Sequence, residues 1–335
     1  KKGLGVKVSS SVEISQVNKM PDLHTTYAAG DWDANGNPQY VGPADPGPDG
    51  IGLTDDDIAF GTPLSWGPRI SSDPSLQSYD NIDEFFRNGV AYNNSVEVTG
   101  GSDRSSFRLS VADLRQSGIV PNSEFNRTSV RLTADTKLSE KVKVGATANF
   151  INSDQLAPQN GSNLAGIMLG MTRTPPSYDL SDYYNAQGFQ KTYYVVYDNP
   201  YYTAYENPFE SNVNRIMGNA YLSWIISDEW DFTYRLGIDN YADQRTQVFA
   251  ISSFGDDIGG LGQINENRLS NRQIYGDALL TYKKDITDKI SFSGTLGHNF
   301  FTTRFDDLFS RGREMTIPYF YNLSNTSDLY ASRYT

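Results

Sequence analysis

The chain has 335 residues, a net charge of −12, no cysteine and only two histidines. The lack of cysteine excludes disulfide bonds, thiol chemistry and cysteine-ligated metal sites. The acidic balance argues against nucleic acid as a partner, because no basic stripe could neutralise phosphates. No run of 18 apolar residues occurs, which excludes a transmembrane helix. Tyrosine (22), phenylalanine (17) and glycine (29) are abundant, and this composition favours strands and turns.

Nine segments alternate apolar and polar residues with a period of two, which predicts β-strands. In the first segment, Val6 and Val8 alternate with Lys7 and Ser9. The other eight segments begin their apolar series at Val96, Phe107, Val130, Val142, Ile216, Trp230, Ile274 and Ile290. An antiparallel all-β fold follows from this pattern.

The lengths of the strands and connections predict a transmembrane β-barrel. Several strands reach ten residues, whereas about 5–6 is usual in soluble proteins and about 9–11 are needed to cross a bilayer. Short turns at 101–104, 139–140, 227–229 and 287–289 alternate with long segments at 16–92, 116–126, 153–214, 241–272 and 303–335. Short periplasmic turns and long extracellular loops give this rhythm. A soluble β-sandwich is the alternative.

In a barrel of this kind, one side of each strand faces lipid and the other faces a wet lumen. We expect the lipid side to hold Val130, Leu132, Val142, Val144, Ala146, Leu222, Trp224, Phe232 and Leu236. The lumen side should hold Arg108, Arg131, Lys143, Asn219 and Arg235. Aromatic belts at the two bilayer interfaces are predicted near the short turns (Trp224, Trp230, Tyr282, Phe292) and towards the long loops (Phe150, Tyr241, Phe300).

Residues 79–135 contain the most specific motifs. Phe85-Phe86-Arg87-Asn88-Gly89 precedes the strand and turn at 95–103, and Gly118-Ile119-Val120-Pro121-Asn122-Ser123 precedes Phe125-Asn126-Arg127. This set resembles the start of the barrel in SusC/RagA-type TonB-dependent transporters. Smaller matches occur at Lys1-Lys2-Gly3, Trp66-Gly67-Pro68-Arg69, Asn199-Pro200 and 214–219, so the resemblance covers nearly the whole chain.

The resemblance implies a 22-stranded barrel, of which residues 1–335 would supply about the first nine strands. The plug domain, the TonB box and the remaining strands would lie outside this sequence. The implied partners are a SusD-like surface lipoprotein, the TonB complex, outer-membrane lipid and a glycan or peptide substrate. The implied location is the outer membrane of a Gram-negative bacterium of the Bacteroidetes type. The start without methionine and the polar end at 303–335 lead us to expect a fragment.

A calcium site is predicted in the first long segment. Asp31-Trp32-Asp33-Ala34-Asn35-Gly36 matches the opening of an EF-hand loop, with Asp31, Asp33 and Asn35 as oxygen ligands. The twelfth position is Gly42, so the bidentate carboxylate would have to come from Asp45 or Asp49. The alternative is an ordinary Asx/Gly turn, and no other cofactor is required.

Eight tyrosines fall between residues 183 and 205. Tyrosine offers a flat apolar ring and a hydroxyl, which suits sugars, peptides and protein partners. The residues predicted to contact a ligand or lid protein are Tyr183, Tyr184, Tyr193, Tyr194, Tyr197, Tyr201 and Tyr202. Packing among the loops is the alternative.

The sequence favours active transport over the other classes of function. His24 and His298 have no partners at metal or catalytic spacing, and scattered carboxylates form no glycosidase pair. We therefore predict that the protein is not an enzyme. A structural or adhesive cell-surface β-protein is the second hypothesis, and a plug and TonB box upstream would distinguish transport from it.

Overall fold

The structure, a computed structural model, describes residues 3–159, 163–255 and 259–335; Lys1 and Lys2 of the opening motif lie outside these ranges. The strands are β1 (Gly3–Ser15), β2 (Gly30–Trp32), β3 (Pro38–Tyr40), β4 (Gly89–Gly101), β5 (Ser105–Ser117), β6 (Glu124–Lys137), β7 (Val142–Ala157), β8 (Phe209–Ile225), β9 (Trp230–Phe249), β10 (Gln263–Thr287), β11 (Ile290–Met315) and β12 (Thr326–Tyr334). The helices are α1 (Asn81–Phe85), α2 (Ile167–Arg173) and α3 (Pro200–Glu206). Among the described residues, no helix has the length and apolar character needed to span a membrane.

Ten of these strands form one antiparallel sheet, in the order β1-β4-β5-β6-β7-β8-β9-β10-β11-β12. The sheet is a meander, because each long strand pairs with the next long strand along the chain. Strands β2 and β3 form a separate small hairpin. The predicted antiparallel all-β class is confirmed.

The predicted number of nine strands and several strand ends were wrong. The tenth strand of the sheet, β12, lies inside 303–335, which was predicted to be a loop. Strands β10 and β11 have 25 and 26 residues and extend far into the predicted loops. The outer part of β10 has polar side chains on both faces, as at Asn265 and Glu266. Apolar and polar residues therefore do not alternate in this part of β10, and the sequence pattern does not predict it as a strand.

The register separates apolar from polar side chains, as predicted. Directly paired residues of antiparallel strands share one face of the sheet. One row of pairs runs through Val98, Leu109, Leu132, Ala148, Gly218, Ile238 and Ile274, and the adjacent row runs through Thr99, Arg108, Thr133, Thr147, Asn219, Gly237 and Tyr275. By the same register, all nine residues predicted to face lipid lie on the first face and all five lumen residues lie on the second. We call these the apolar face and the polar face.

Ion pairs support the assignment of the polar face to water. Five pairs among the described residues lie there: Glu97–Arg108, Asp135–Lys143, Asp239–Arg215, Asp243–Arg245 and Asp231–Lys283. Charged groups are costly on the lipid side of a barrel, by about 2–4 kcal/mol for a basic side chain at the midplane. The polar face therefore suits a wet lumen.

The apolar residues form a band that crosses the sheet diagonally. One row of paired residues is apolar on six strands (Val8, Val96, Val111, Val130, Phe150, Ile216) and polar on the next three (Asn240, Arg272, Arg304). On β11 the band lies closer to the short turns, from Ile290 to Phe300. Tilted strands in a flat bilayer require such a shift, because a row of paired residues then runs obliquely to the membrane.

The height of the band matches a bilayer. On β7, Val142 and Phe150 bound the apolar series, and eight residues of rise span about 27 Å along the strand. At a tilt of about 40°, this length covers roughly 20 Å of the membrane normal, close to the apolar band of about 25 Å in outer-membrane barrels. The length of the apolar series and its side-chain pattern therefore both match the apolar thickness of a bilayer.

One of the two predicted aromatic belts has the expected place. Trp230 lies 4.8 Å from Tyr282 between ring centroids, and Tyr282 lies 6.2 Å from Phe292, all on the apolar face near the short turns. Towards the long loops, the assignment of Tyr241 was wrong. Tyr241 pairs directly with Arg215 on the polar face, because its odd spacing from Ile238 reverses the direction of its side chain.

A pair of neighbouring substitutions on β6 tests the assignment of the faces. Leu132→Arg puts a charge in the middle of the apolar band and should destabilise the full-length protein by about 2–4 kcal/mol in bilayers. Thr133→Arg adds the same charge on the polar face and should cost less than about 0.5 kcal/mol. Reversible unfolding from lipid vesicles measures both values. A larger cost for Thr133→Arg would reverse the assignment.

Candidate functional site

The long connections meet at one end of the sheet and pack on one another. Two clusters of buried side chains join them, one around Phe85 and Met171 and the other around Ile251 and Ile264. We call this assembly the loop layer; it comprises residues 16–88, 118–123, 163–208, 250–255 with 259–262, and 316–325. The connections are thus a second structural layer beyond the end of the sheet.

The Phe85-Phe86 motif anchors the first long connection. Asp80 caps α1 by accepting a hydrogen bond from the N–H of Asp83, and the helix then directs Phe85 into the loop layer. Phe85 is buried, and its ring meets Tyr201 edge-on with 4.8 Å between centroids. The motif therefore joins the connection before β4 to the one before β8.

Asn81 adds a polar link at the same place. Its side-chain amide donates to the carbonyl oxygen of Tyr178 at 2.8 Å and accepts from the N–H of Leu180 at 3.1 Å. Asn81 is buried, so both bonds are shielded from water and satisfy backbone groups that would otherwise be costly to bury. Two connections distant in sequence are held together in this way.

The second motif of the sequence analysis, at 118–123, is a tight connection between β5 and β6. Asn122 adopts a positive φ of 53°, a conformation that asparagine tolerates better than most residues. Its side chain donates to the carbonyl oxygen of Ala204 in α3 at 3.0 Å. The guanidinium of Arg87 donates to the carbonyl oxygen of Gly118 at 3.1 Å. The motif thus fixes α3 and the start of β4 around one turn.

A buried carboxylate organises the interior of the loop layer. Asp198 is buried and accepts hydrogen bonds from the Gln190 side chain at 3.0 Å, the Ser253 hydroxyl at 2.5 Å and the Phe254 N–H at 2.8 Å. Asn207, which is fully buried, donates to Ser253 at 2.9 Å. Since an ionised carboxylate needs several donors to be stable away from water, this network fixes the 163–208 and 250–255 segments relative to each other.

The predicted tyrosine site divides into two buried and five half-buried residues. Tyr193 and Tyr202 are buried, and the Tyr202 hydroxyl donates to the carbonyl oxygen of Ile251 at 2.7 Å. These two rings pack among the loops, which corrects their place in the predicted contact surface. The reason is physical: a ring enclosed on all sides has no face for a ligand. Tyr197 stacks on Tyr193, and the guanidinium of Arg173 lies over the Tyr197 ring, 5.1 Å from the ring centroid.

One partly accessible part of the site is a stack of three rings, in which Tyr205 adds to the predicted tyrosines. Tyr183 lies between Tyr201 and Tyr205, with centroid separations of 5.7 and 6.0 Å and nearly parallel planes. Tyr205 is 41% exposed. Rings held parallel and partly in water present flat apolar surface with polar edges, a form that suits contact with sugars or peptides.

Glu206, at the end of α3, bridges two tyrosines beside this stack. Its carboxylate accepts from the Tyr184 hydroxyl at 2.5 Å and from the Tyr321 hydroxyl at 2.7 Å. Burial, followed by the bond to Glu206, raises the pKa of Tyr184 and Tyr321 far above the usual value, and burial also raises the pKa of Tyr183. These hydroxyls are therefore protonated donors at neutral pH.

Of the predicted calcium ligands, Asp31 lies in β2, and Asp33 and Asn35 lie in the turn that joins β2 to β3. The carboxylate of Asp33 accepts from the N–H groups of Asn35 and Asn37 at 2.9 and 2.8 Å, which is the geometry of an Asx turn. The bond to the Asn37 N–H is the main cause that lowers the pKa of Asp33. Within the described ranges, no group of three acidic or histidine side chains is arranged to hold a metal. Calcium binding at Asp31, Asp33 and Asn35 stays a prediction.

Sequence reasoning missed Asp198, Asn207 and Glu206. One signal was present, because Asp198 directly precedes the Asn199-Pro200 motif that begins α3. Asn199 caps this helix by accepting from the N–H of Tyr201 at 2.9 Å. The partners of Asp198 in the 250–255 segment are more than 50 residues away in sequence, and no local pattern reveals them.

Comparison with known proteins identifies relatives of one kind. No protein-family model matches the chain. The chain is 30% identical over 162 residues to the TonB-dependent receptor P26 of Formosa agariphila, which covers 48% of this chain and 16% of that protein. It is 29% identical over 125 residues to the TonB-dependent receptor SusC of Bacteroides thetaiotaomicron, covering 37% of this chain and 12% of SusC. The match thus spans less than a fifth of each relative.

One solved structure matches the fold over the whole chain, and another matches it over about three quarters of the chain. The RagAB peptide importer in its closed-closed state superposes with a TM-score of 0.68 at 17% identity, covering 100% of this chain and 39% of that one. A further structure of the RagAB peptide transporter gives a TM-score of 0.60 at 16% identity and covers 77% of this chain and 30% of that one. The sheet therefore has the fold of a segment of an outer-membrane β-barrel.

Substitution of Asp198 tests whether the buried network holds the loop layer together. Asp198→Ala leaves the donors of Gln190, Ser253 and Phe254 without their acceptor, and should destabilise the layer by about 3 kcal/mol. Faster amide hydrogen exchange in 163–208, with unchanged exchange in the sheet, is the expected result. Asp182→Ala, at an exposed position, serves as the control. It should change the free energy of local opening, obtained from the exchange rates, by less than about 0.5 kcal/mol. Equal exchange in both variants would contradict the account.

Proposed function

We propose that the chain is a barrel segment of a SusC/RagA-type TonB-dependent receptor and that the whole protein imports nutrients across the outer membrane. The proposed substrates are oligosaccharides or oligopeptides. The observation that carries the proposal is the sequence similarity to proteins named TonB-dependent receptors. The diagonal apolar band supports it, because it suits a tilted barrel in a bilayer.

We propose that further strands, a plug domain and a TonB box complete the protein. In the described part of the chain, β1 and β12 each pair on one side only. An open sheet edge in hydrocarbon leaves N–H and C=O groups unpaired, at several kcal/mol for each group. Additional strands that pair with both edges would remove this cost and close the barrel. The plug would fill the lumen beside the polar face, and TonB would supply energy through it.

The stack of Tyr183, Tyr201 and Tyr205 is the proposed contact surface for substrate or for a SusD-like surface lipoprotein. It lies at the end of the sheet with the long connections, which is the extracellular end in a barrel of this type. Asp198 and its buried network come directly before α3, the helix that carries Tyr201 and Tyr205. A ring surface that is already ordered binds with a smaller loss of conformational entropy than a mobile loop.

Uptake by the full-length protein tests the proposed function. A strain without the gene should lose growth on one class of substrate, either an oligosaccharide or an oligopeptide mixture, and the restored gene should recover it. Loss of TonB should abolish the recovery, because import against a gradient needs an energy source. Normal growth of the gene-deleted strain on both mixtures would contradict import and favour a structural or adhesive role.

Variants of the stack separate the proposed contact from folding. Tyr183→Ala with Tyr205→Ala should reduce uptake or lipoprotein binding about tenfold while the barrel stays inserted. The corresponding phenylalanine variants keep the rings and should retain most activity if ring stacking dominates. Tyr40→Ala, an exposed tyrosine of β3, is the control outside the stack. Unchanged uptake and binding in the double alanine variant would remove the stack from the site.

A further inference from the structure

Four arginines lie close together on the apolar face of β10, β11 and β12, just beyond the apolar band. The band ends at Ile274 on β10 and at Phe300 on β11. Arg272 follows Ile274 by two residues, and Arg304 follows Phe300 by four. Arg268 and Arg333 lie further along the same face. In a chain of net charge −12, this is a local concentration of positive charge.

Two of these arginines are placed directly opposite each other. Arg272 and Arg304 are direct partners in the register of β10 and β11, so their Cβ atoms are about 5 Å apart. Like charges at such positions destabilise a sheet. An anion held between the two guanidinium groups would offset this repulsion.

The nearby acidic groups do not supply this anion. The carboxylate of Asp306 accepts a hydrogen bond from the Arg333 guanidinium at 2.6 Å. The positive charge of Arg304 also stabilises this carboxylate. Glu266 is on the same face, two residues beyond Arg268 and further from the band. Within the described ranges, Arg268 and Arg272 join no hydrogen bond or ion pair. Arg268, Arg272 and Arg304 are all exposed.

The position of the patch relative to the band identifies the ligand chemistry. The patch of arginines lies on the apolar face, between the apolar band and the long connections. In the barrel, the apolar residues next to it would face lipid. In the outer membrane of the proposed function, on which this step rests, that level is occupied by the headgroups of the outer leaflet. A phosphate there would meet guanidinium groups that can bind it through two parallel hydrogen bonds.

We propose that Arg268, Arg272 and Arg304 form a binding site for the phosphate groups of an outer-leaflet glycolipid. One phosphate lies between Arg272 and Arg304 and offsets their repulsion. Arg268 is four residues from Arg272, about 13 Å along the strand, and reaches a second anionic group further from the bilayer. Asn240, directly paired with Arg272 on β9, adds a neutral hydrogen-bonding side chain at the edge of the site. The site holds this side of the barrel at a fixed depth in the membrane.

Lipid titrations of the full-length protein in detergent test the proposal. The probes are phosphorylated lipid A, the same lipid A after dephosphorylation, and inorganic phosphate. The wild-type protein should bind phosphorylated lipid A at least tenfold more tightly than the dephosphorylated form. Arg272→Gln with Arg304→Gln should abolish this preference, because both ligands of the phosphate are removed.

The matched control is Arg127→Gln with Arg131→Gln, which removes two exposed arginines from the polar face of β6. It should keep the tenfold preference. Equal binding of both lipids by the wild-type protein, or an unchanged preference in the Arg272 and Arg304 variant, would overturn the site. Inorganic phosphate that binds as tightly as lipid A would show a free-phosphate site and overturn the lipid assignment. The titration does not depend on uptake, so a negative result would contradict the lipid site without contradicting the proposed transport.

Discussion

The structure depends on one constraint, the need of a backbone in hydrocarbon to satisfy its own hydrogen bonds. A sheet does this only by pairing every strand with neighbours, and the ten-stranded meander pairs each inner strand on both sides. Side chains can then differ only between the two faces. The apolar face, the ion pairs of the polar face and the length of the strands all follow from this requirement.

The tilt of the strands explains details that a flat sheet would not. A row of paired residues that begins at Val8 and ends at Arg304 changes from apolar to polar between Ile216 and Asn240. On a sheet whose strands ran straight across the membrane, such a row would lie at one depth and would have one character. The diagonal band therefore follows from the tilt of the strands, and it leaves Arg272 beyond the end of the apolar band on β10.

The loop layer obeys a different rule, since it is folded in water around its own interior. Its stability rests on a few buried polar groups with many partners, chiefly Asp198, Asn81 and Asn207, and on tyrosine rings packed between them. Such networks specify one arrangement because an unpaired member is costly. An ordered layer can present the Tyr183 stack in a fixed orientation beyond the mouth of the barrel.

The two layers differ in how far sequence predicts them. The faces of the sheet were predictable because the period of two is local, and the motifs around Phe85 and Asn122 gave the resemblance to a barrel of this type. The outer end of β10 was not predictable, since that part of the strand is polar on both faces, and the existence of β12 was also missed. The burial of Tyr193 and Tyr202 was also invisible, because it depends on Asp198 and on segments distant in sequence. Tyrosine content alone could not separate packing from contact.

The central claim is that the apolar face of this sheet meets lipid in a closed barrel. Single cysteines along β9, placed in a cysteine-free full-length protein and labelled with a fluorophore, test it by quenching from nitroxides attached to lipid chains. The account predicts strong quenching at Phe232, Tyr234 and Leu236, and weak quenching at Thr233, Arg235 and Gly237. Quenching that does not alternate, or that is stronger at the second set, would contradict the claim.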